Sequence, residues 1–142
     1  MQGGESSAER SAPEEVRIGI AVVCHGDKVL VGLRPCDAPL AGYWEFPGGK
    51  CHGSEPVEAC AVRECCEETG VQVAVRELIA EVRHQYQHGA LRLYFFRCEP
   101  IGPSAPRPPF VWVDRRHLST LPMPPANAAV VENLVSSQEH MG

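Results

Sequence analysis

Glu64, Glu67 and Glu68 stand at spacings of three and four residues. On a helix these positions share one face, so their carboxylates project together. Arg63 lies four before Glu67 and can brace it, and Glu55 stands upstream. Like charges at such spacings cost a helix a few tenths of a kcal/mol per pair. A solvated face normally alternates sign, yet Arg63–Glu68 carries one cation against three anions. Convergent carboxylates suit a hard divalent cation, which prefers oxygen ligands. Mg2+ keeps several waters and is shared with substrate phosphates, so a few side chains suffice. The spacing points to metal-assisted phosphate chemistry with Mg2+, or Mn2+ in its place. Taken alone it also leaves a solvated charged face open.

The elements that must hold these residues can be read from the flanking chain. Ser54 is expected to cap a helix, with Pro56 in its first turn, where a missing N–H costs nothing. Val57, Ala61 and Cys65 recur every four residues and give the helix an inner face. Gly70 stands where a left-handed terminal residue is wanted. Before the helix, Val16–Cys24 and Lys28–Leu33 read as strands around a His25-Gly26-Asp27 turn. Tyr43–Phe46 reads as a short strand stopped by Pro47-Gly48-Gly49. After it, 71–87 reads as a long, bent strand, turned by His88-Gly89 into Ala90–Cys98. A proline-dense loop leads to a strand at Phe110–Val113. A last helix is expected over Pro125–Ser137, with Ala129, Val130, Leu134 and Val135 inward. Strands, a helix, strands and a helix predict an α+β domain with helices packed on a mixed sheet. The expected domain spans residues 16–138, between a polar tail at 1–15 and a short tail at 139–142.

A chain of 142 residues suits one domain. Its net charge of -5 argues against stable nucleic acid binding, which favours a basic surface. No apolar run is long enough for a membrane span, and the start has no apolar signal core. The seven cysteines include no C-x-x-C pair. They read as reduced thiols serving as small hydrophobes, which suits a cytoplasmic setting. A monomer and a homodimer are both compatible with the sequence.

From Gly49 the chain fits G-x5-E-x7-R-E-U-x-E-E-x-G-U, where U is apolar, through Gly49, Glu55, Arg63, Glu64, Cys65, Glu67, Glu68, Gly70 and Val71. This pattern resembles the Nudix box. Cys65 replaces a larger aliphatic residue but remains a small hydrophobe. The resemblance implies a Nudix fold, a mixed β-sheet packed between α-helices in an α/β/α sandwich. It implies a catalytic set of Glu64, Glu67, Arg63 and Glu55. The implied metal ligands are Glu64, Glu67, Glu68 and the Gly48 carbonyl, with Arg63 orienting the carboxylates and Glu55 in the outer shell. Such enzymes hydrolyse a nucleoside diphosphate linked to another group. Their metals neutralise phosphate charge and make a water acidic enough to attack phosphorus.

The segments LRPCDAPLAGYW, WEFPGGK (Trp44–Lys50) and MPPAN (Met123–Asn127) look like the MutT branch, which cleaves 8-oxo-dGTP to 8-oxo-dGMP and pyrophosphate. By that likeness Asn127 would read a purine edge, since one amide offers both donor and acceptor; a helix cap is the alternative. Arg34 would lie near base and phosphates, or be a surface arginine at a strand end. Phe46 and Tyr86 would sandwich the base, or pack in the core. Ile18 and Leu91 are expected to line the same pocket, and Lys50 to reach phosphate or stay solvated. MutT proteins carry another acid in the loop before the last strand. Here Pro100–Val113 contains none, so the general base is expected at Glu64, with Glu67 or Glu68 as alternatives. His84, Tyr86 and His88 alternate along a strand and read as exposed hairpin residues. A related branch acting on CTP or 5-methyl-dCTP tends to an acid at position 127. A catalytically inactive Nudix-like recognition domain would usually lack box carboxylates, and this chain keeps them all.

Overall fold

The computed structural model describes residues 14–141, with side chains from 15 to 136. Residues 1–13 of the expected 1–15 tail, and residue 142, lie outside the described residues. Strand β1 (Glu14–His25) starts earlier than Val16 and so takes in Glu14 and Glu15. Then come β2 (Lys28–Leu33), β3 (Trp44–Glu45), β4 (Gly48–Lys50), helix α1 (Val57–Thr69), β5 (Val73–Tyr86), β6 (Gly89–Pro100) and β7 (Phe110–Asp114). Two 3-10 helices, Arg115–Thr120 and Pro125–Asn127, precede α2 (Ala128–Met141). Helix α2 thus continues to Met141, through most of the expected 139–142 tail.

The sheet runs β3-β2-β1-β6-β5, with β4 on β1 and β7 on β2. Strands β1 and β6 are parallel, with Ile18 opposite Leu93, while β5 and β6 form an antiparallel hairpin. The fold is therefore α+β with a mixed sheet, as expected. The expected bend of β5 takes the form of register shifts between Val75 and Glu77 and between Leu78 and Ala80.

Alternation along β1 feeds two cores. Ile20, Val22 and Cys24 join Phe95, Leu118, Val130 and Leu134 under α2. Ala21 and Val23 join Ala61, Cys65, Val71 and Phe96 under α1. The sheet therefore lies between the two helices. Strand β1 approaches α1 closely at Gly19, where a Cβ would stand 2.8 Å from both Ala61 N and Cys60 Sγ.

Three local expectations need correction. Pro56 takes the N-cap position of α1 with no side-chain cap, because the helix begins at Val57, beyond reach of the Ser54 side chain. Gly48-Gly49 does more than stop a strand: it pairs with β1 as β4. Ala129 is exposed, since the first turn of α2 points it away from the Val130–Leu134 stripe. Gly70 does close α1 in the left-handed region, at φ 80, and its N–H donates to Cys66 O at 2.9 Å.

Candidate active site

Helix α1 presents its acidic face to strand β4. Ala61 and Cys65 are buried against the sheet, which turns Glu64 toward Gly49 and Glu68 toward Gly48 and leaves Glu67 more exposed beside Arg63. The Gly48 N–H donates to Glu68 Oε1 at 3.1 Å. The Glu64 carboxylate lies over Gly49, in space that a Cβ there would occupy.

Arg63 gathers the remaining acids. Its Nε and Nη2 donate to Glu55 Oε2 and Oε1 at 2.8 and 3.0 Å. Its Nη1 donates to Glu64 Oε2 at 3.1 Å and to Glu67 Oε1 at 3.2 Å, and Nη2 also reaches Lys50 O at 3.1 Å. Glu55 Oε1 accepts from His52 N–H at 2.9 Å. The bonds from Arg63, helped by the His52 N–H, hold the Glu55 carboxyl down at about 2. The same carboxylate contacts, Glu55 foremost, raise the Arg63 guanidinium above its ordinary value.

Glu68 behaves oppositely. The residue is exposed as a whole, but its carboxylate end is withdrawn from water against Gly48. That loss of water, partly offset by the Gly48 N–H and reinforced by Glu45, Glu64 and Glu67, pushes its pKa up to about 7. Negative charge is thus in excess here. Among the described residues, no three His, Cys, Asp or Glu side chains already converge as a metal cage; Glu55, Glu64 and Glu67 share Arg63, while Glu68 is held by the Gly48 N–H. Oxygen donors on one helix face, a backbone cradle without side chains and uncompensated charge together fit a hard divalent cation.

Beside this face opens a cavity of about 180 Å3, lined among others by Ile18, Glu45, Phe46, Gly48, Leu93 and Asn127. Phe46 is buried and meets Phe95 edge-on at 6.5 Å. Asn127 is 6% exposed, and its Nδ2 has only the Met123 sulfur, at 3.8 Å, as a side-chain partner. It ends the 3-10 helix and directly precedes α2, the position of a cap of the last helix, and the one side-chain bond it makes goes to the Met123 sulfur. Gly48 both lines the cavity and bonds Glu68, so cavity and acidic face adjoin.

A model of the NUDIX domain matches residues 19–133. The chain belongs to the Nudix family. It is 33% identical over 84 residues to an 8-oxo-dGTP diphosphatase of Proteus vulgaris, covering 58% of this chain and 75% of that protein. It is 25% identical over 120 residues to the CTP pyrophosphohydrolase of Escherichia coli (strain K12), covering 82% and 89%. Its fold matches the crystal structure of a MutT Nudix hydrolase from Burkholderia pseudomallei with a TM-score of 0.71 at 24% identity, over 84% and 97% of the two chains. The chain is a MutT-like Nudix hydrolase.

Within this Nudix site the expected residues divide. Phe46, Gly48 and Asn127 line the cavity together with Ile18. Arg34 does not line it: its side chain bonds Glu45 Oε1 and Pro39 O, each at 2.7 Å. Lys50 is exposed at the end of β4. Tyr86 stands at the tip of the β5–β6 hairpin, opposite Gly89 and 43% exposed, with His84 and His88 also exposed. Leu93, not Leu91, meets the cavity, because parallel pairing sets Leu93 opposite Ile18 and Leu91 opposite Val16. Glu45 is a lining residue that sequence reasoning missed; its place directly before Phe46 was the available signal. Cys24, Cys60, Cys65 and Cys98 are buried as small hydrophobes, whereas Cys51 and Cys66 are half-buried and Cys36 is exposed. None is in a disulfide, and burial with a hydrogen bond to Cys51 pushes the Cys60 thiol up to about 12.

Proposed function

We propose that this Nudix hydrolase cleaves a nucleoside triphosphate to the monophosphate and pyrophosphate, with 8-oxo-dGTP preferred. The observation that carries this reading is the junction at Gly48, where an apolar cavity holding Phe46 and Asn127 meets the acidic face of α1. The base would enter the cavity, edge-on to the Asn127 amide, with its phosphates toward Glu64, Glu67 and Glu68.

Glu64, Glu67, Glu68 and the Gly48 carbonyl would hold Mg2+, with Mn2+ an adequate replacement. When bound, such a cation supplies charge to offset the phosphates and a more acidic water. Arg63, itself fixed by Glu55, keeps the carboxylates in register. Arg63 occupies Glu64 Oε2, which leaves Oε1 to accept a proton from the attacking water. The phosphate-facing role of Lys50 and supporting contacts from Arg34 and Tyr86 belong to this reading only if those side chains move on binding. A cytoplasmic role in nucleotide-pool sanitation, and so in DNA repair and replication, accords with the unpaired thiols. No helix among the described residues is long and apolar enough to cross a membrane.

A pyrimidine substrate is the second reading, favoured by the longer match to a CTP pyrophosphohydrolase. Pyrophosphate release from 8-oxo-dGTP, dGTP, dCTP and 5-methyl-dCTP, each with Mg2+, separates the two. The highest kcat/KM is expected for 8-oxo-dGTP; a higher value for dCTP or 5-methyl-dCTP would overturn the purine assignment.

A further inference from the structure

The loop between β6 and β7 contains no acid but one arginine, Arg107. It is pinned to the fold at both ends. Ile101 N–H donates to Gln72 O at 2.9 Å, Phe110 N–H to Arg107 O at 3.0 Å, and Trp112 Nε1–H to Ser104 O at 2.7 Å. So held, Arg107 closes on the C-terminal end of α1. Its backbone N–H donates to Thr69 O at 2.8 Å, and its Nη2 donates to Glu67 O. Its guanidinium lies over Gly70, where a Cβ would stand 2.8 Å from Nη1.

The last carbonyls of a helix lack intrahelical donors, and that end carries partial negative charge. Helix α1 has no basic residue in its own last turn, which instead carries Glu67 and Glu68. Gly70 satisfies Cys66 O, and Arg107 satisfies Glu67 O and Thr69 O. The missing cation and donors therefore come from a distant loop.

We propose that Arg107 is a positioning residue: it fixes the last turn of α1, which carries Glu68 against Gly48 and Glu67 against Arg63, and so sets where the two carboxylates stand. This rests on reading those carboxylates as cation ligands. The side-chain donor and its charge are separable from the backbone bond to Thr69 O, which any non-proline residue at 107 retains. Lysine keeps the charge but gives up the planar, multi-donor head.

The test compares wild type with Arg107→Ala and Arg107→Lys. Amide hydrogen exchange reads the metal-free helix end, electron paramagnetic resonance reads Mn2+ affinity, and thermal melting confirms folding. In the alanine variant, exchange at Gly70 should quicken and Mn2+ affinity should fall, each by roughly 10-fold, the scale of one charge-assisted hydrogen bond. The lysine variant should recover part of both, and β-sheet amides should not change. Unchanged Mn2+ affinity in a folded alanine variant would overturn the proposal, whatever the exchange shows. Should the alanine variant fail to fold, an unaltered Mn2+ affinity in the lysine variant would overturn it as well. Wild-type protein that binds no Mn2+ would refute the metal reading itself and remove the basis of the positioning role.

Discussion

The carboxylate of Glu64 fills the space above the α-carbon of Gly49 where a side chain would otherwise stand. A residue on the helix and a residue on β4 are thus in direct apposition, and glycine is the condition for it. Gly49→Ala should displace Glu64 and cut kcat/KM by on the order of 10-fold or more, since a small misplacement of a catalytic group is costly. Steady-state kinetics with a parallel thermal melt would check this; wild-type kinetics in the alanine variant would contradict it.

Glu67 is 58% exposed at its side chain and bonds Arg63 only at 3.2 and 3.3 Å. Its loss should therefore leave the fold almost untouched while removing a site carboxylate. Glu67→Gln is expected to lose at least ~10²-fold in kcat, the scale of one preorganised group. Stability in urea should stay within about 0.5 kcal/mol of wild type. Equal activity of the two proteins would refute the role given to Glu67.

The Arg63–Glu55 pair makes a pH prediction. Glu55 titrates at about 2 in the folded protein against about 4.3 for a free glutamate. An acid with a depressed folded value contributes stability that is fully present above its unfolded value. That contribution disappears as pH falls from the unfolded value through the folded one. Unfolding midpoints measured from pH 6 to pH 2 should therefore decline, and Glu55→Gln should flatten part of that slope. An unchanged slope would show that the pair has no influence on folding.

Asn127 faces the cavity with no strong acceptor on its Nδ2. Asn127→Ala should reduce discrimination between 8-oxo-dGTP and dCTP by about 1–3 kcal/mol, the worth of a good bidentate contact to a base. The ratio of kcat/KM values for the two nucleotides is the measurement. A ratio that does not move would exclude Asn127 from base reading.

Gly70 tests the helix end. At φ 80 an L-residue is disfavoured, and Arg107 crowds the position. Gly70→Ala should cost about 1–2 kcal/mol in urea unfolding. A neutral effect would mean that the last turn of α1 rearranges freely.

The chemistry-bearing face was legible because it is local. The period of a helix alone puts Glu64, Glu67 and Glu68 together, and Gly70 alone marks the end. Whatever depended on distant pairing was less legible. Parity along β6 put Leu91 and Leu93 on one face, but only the register with β1 selects Leu93. Tyr86 looked like a pocket aromatic, yet the length of the β5–β6 hairpin carries it to the tip. The glycines of β4 have poor strand propensity, and their pairing with β1 is a tertiary decision. The 3-10 helix at Arg115–Thr120 left no periodic trace of the kind the eye seeks, although Asp114 caps it through Arg116 N–H.

Ile18, Gly19 and Ile20 are consecutive, and their neighbours differ completely. The isoleucines border the cavity proposed for the base, while the glycine between them bears against the helix that carries the acids. The shape of the cavity and the placement of the acids are therefore set by opposite sides of one peptide ribbon. A substitution that reshapes the hollow by tilting this ribbon also shifts the seat of α1, so changes of specificity and changes of turnover should travel together.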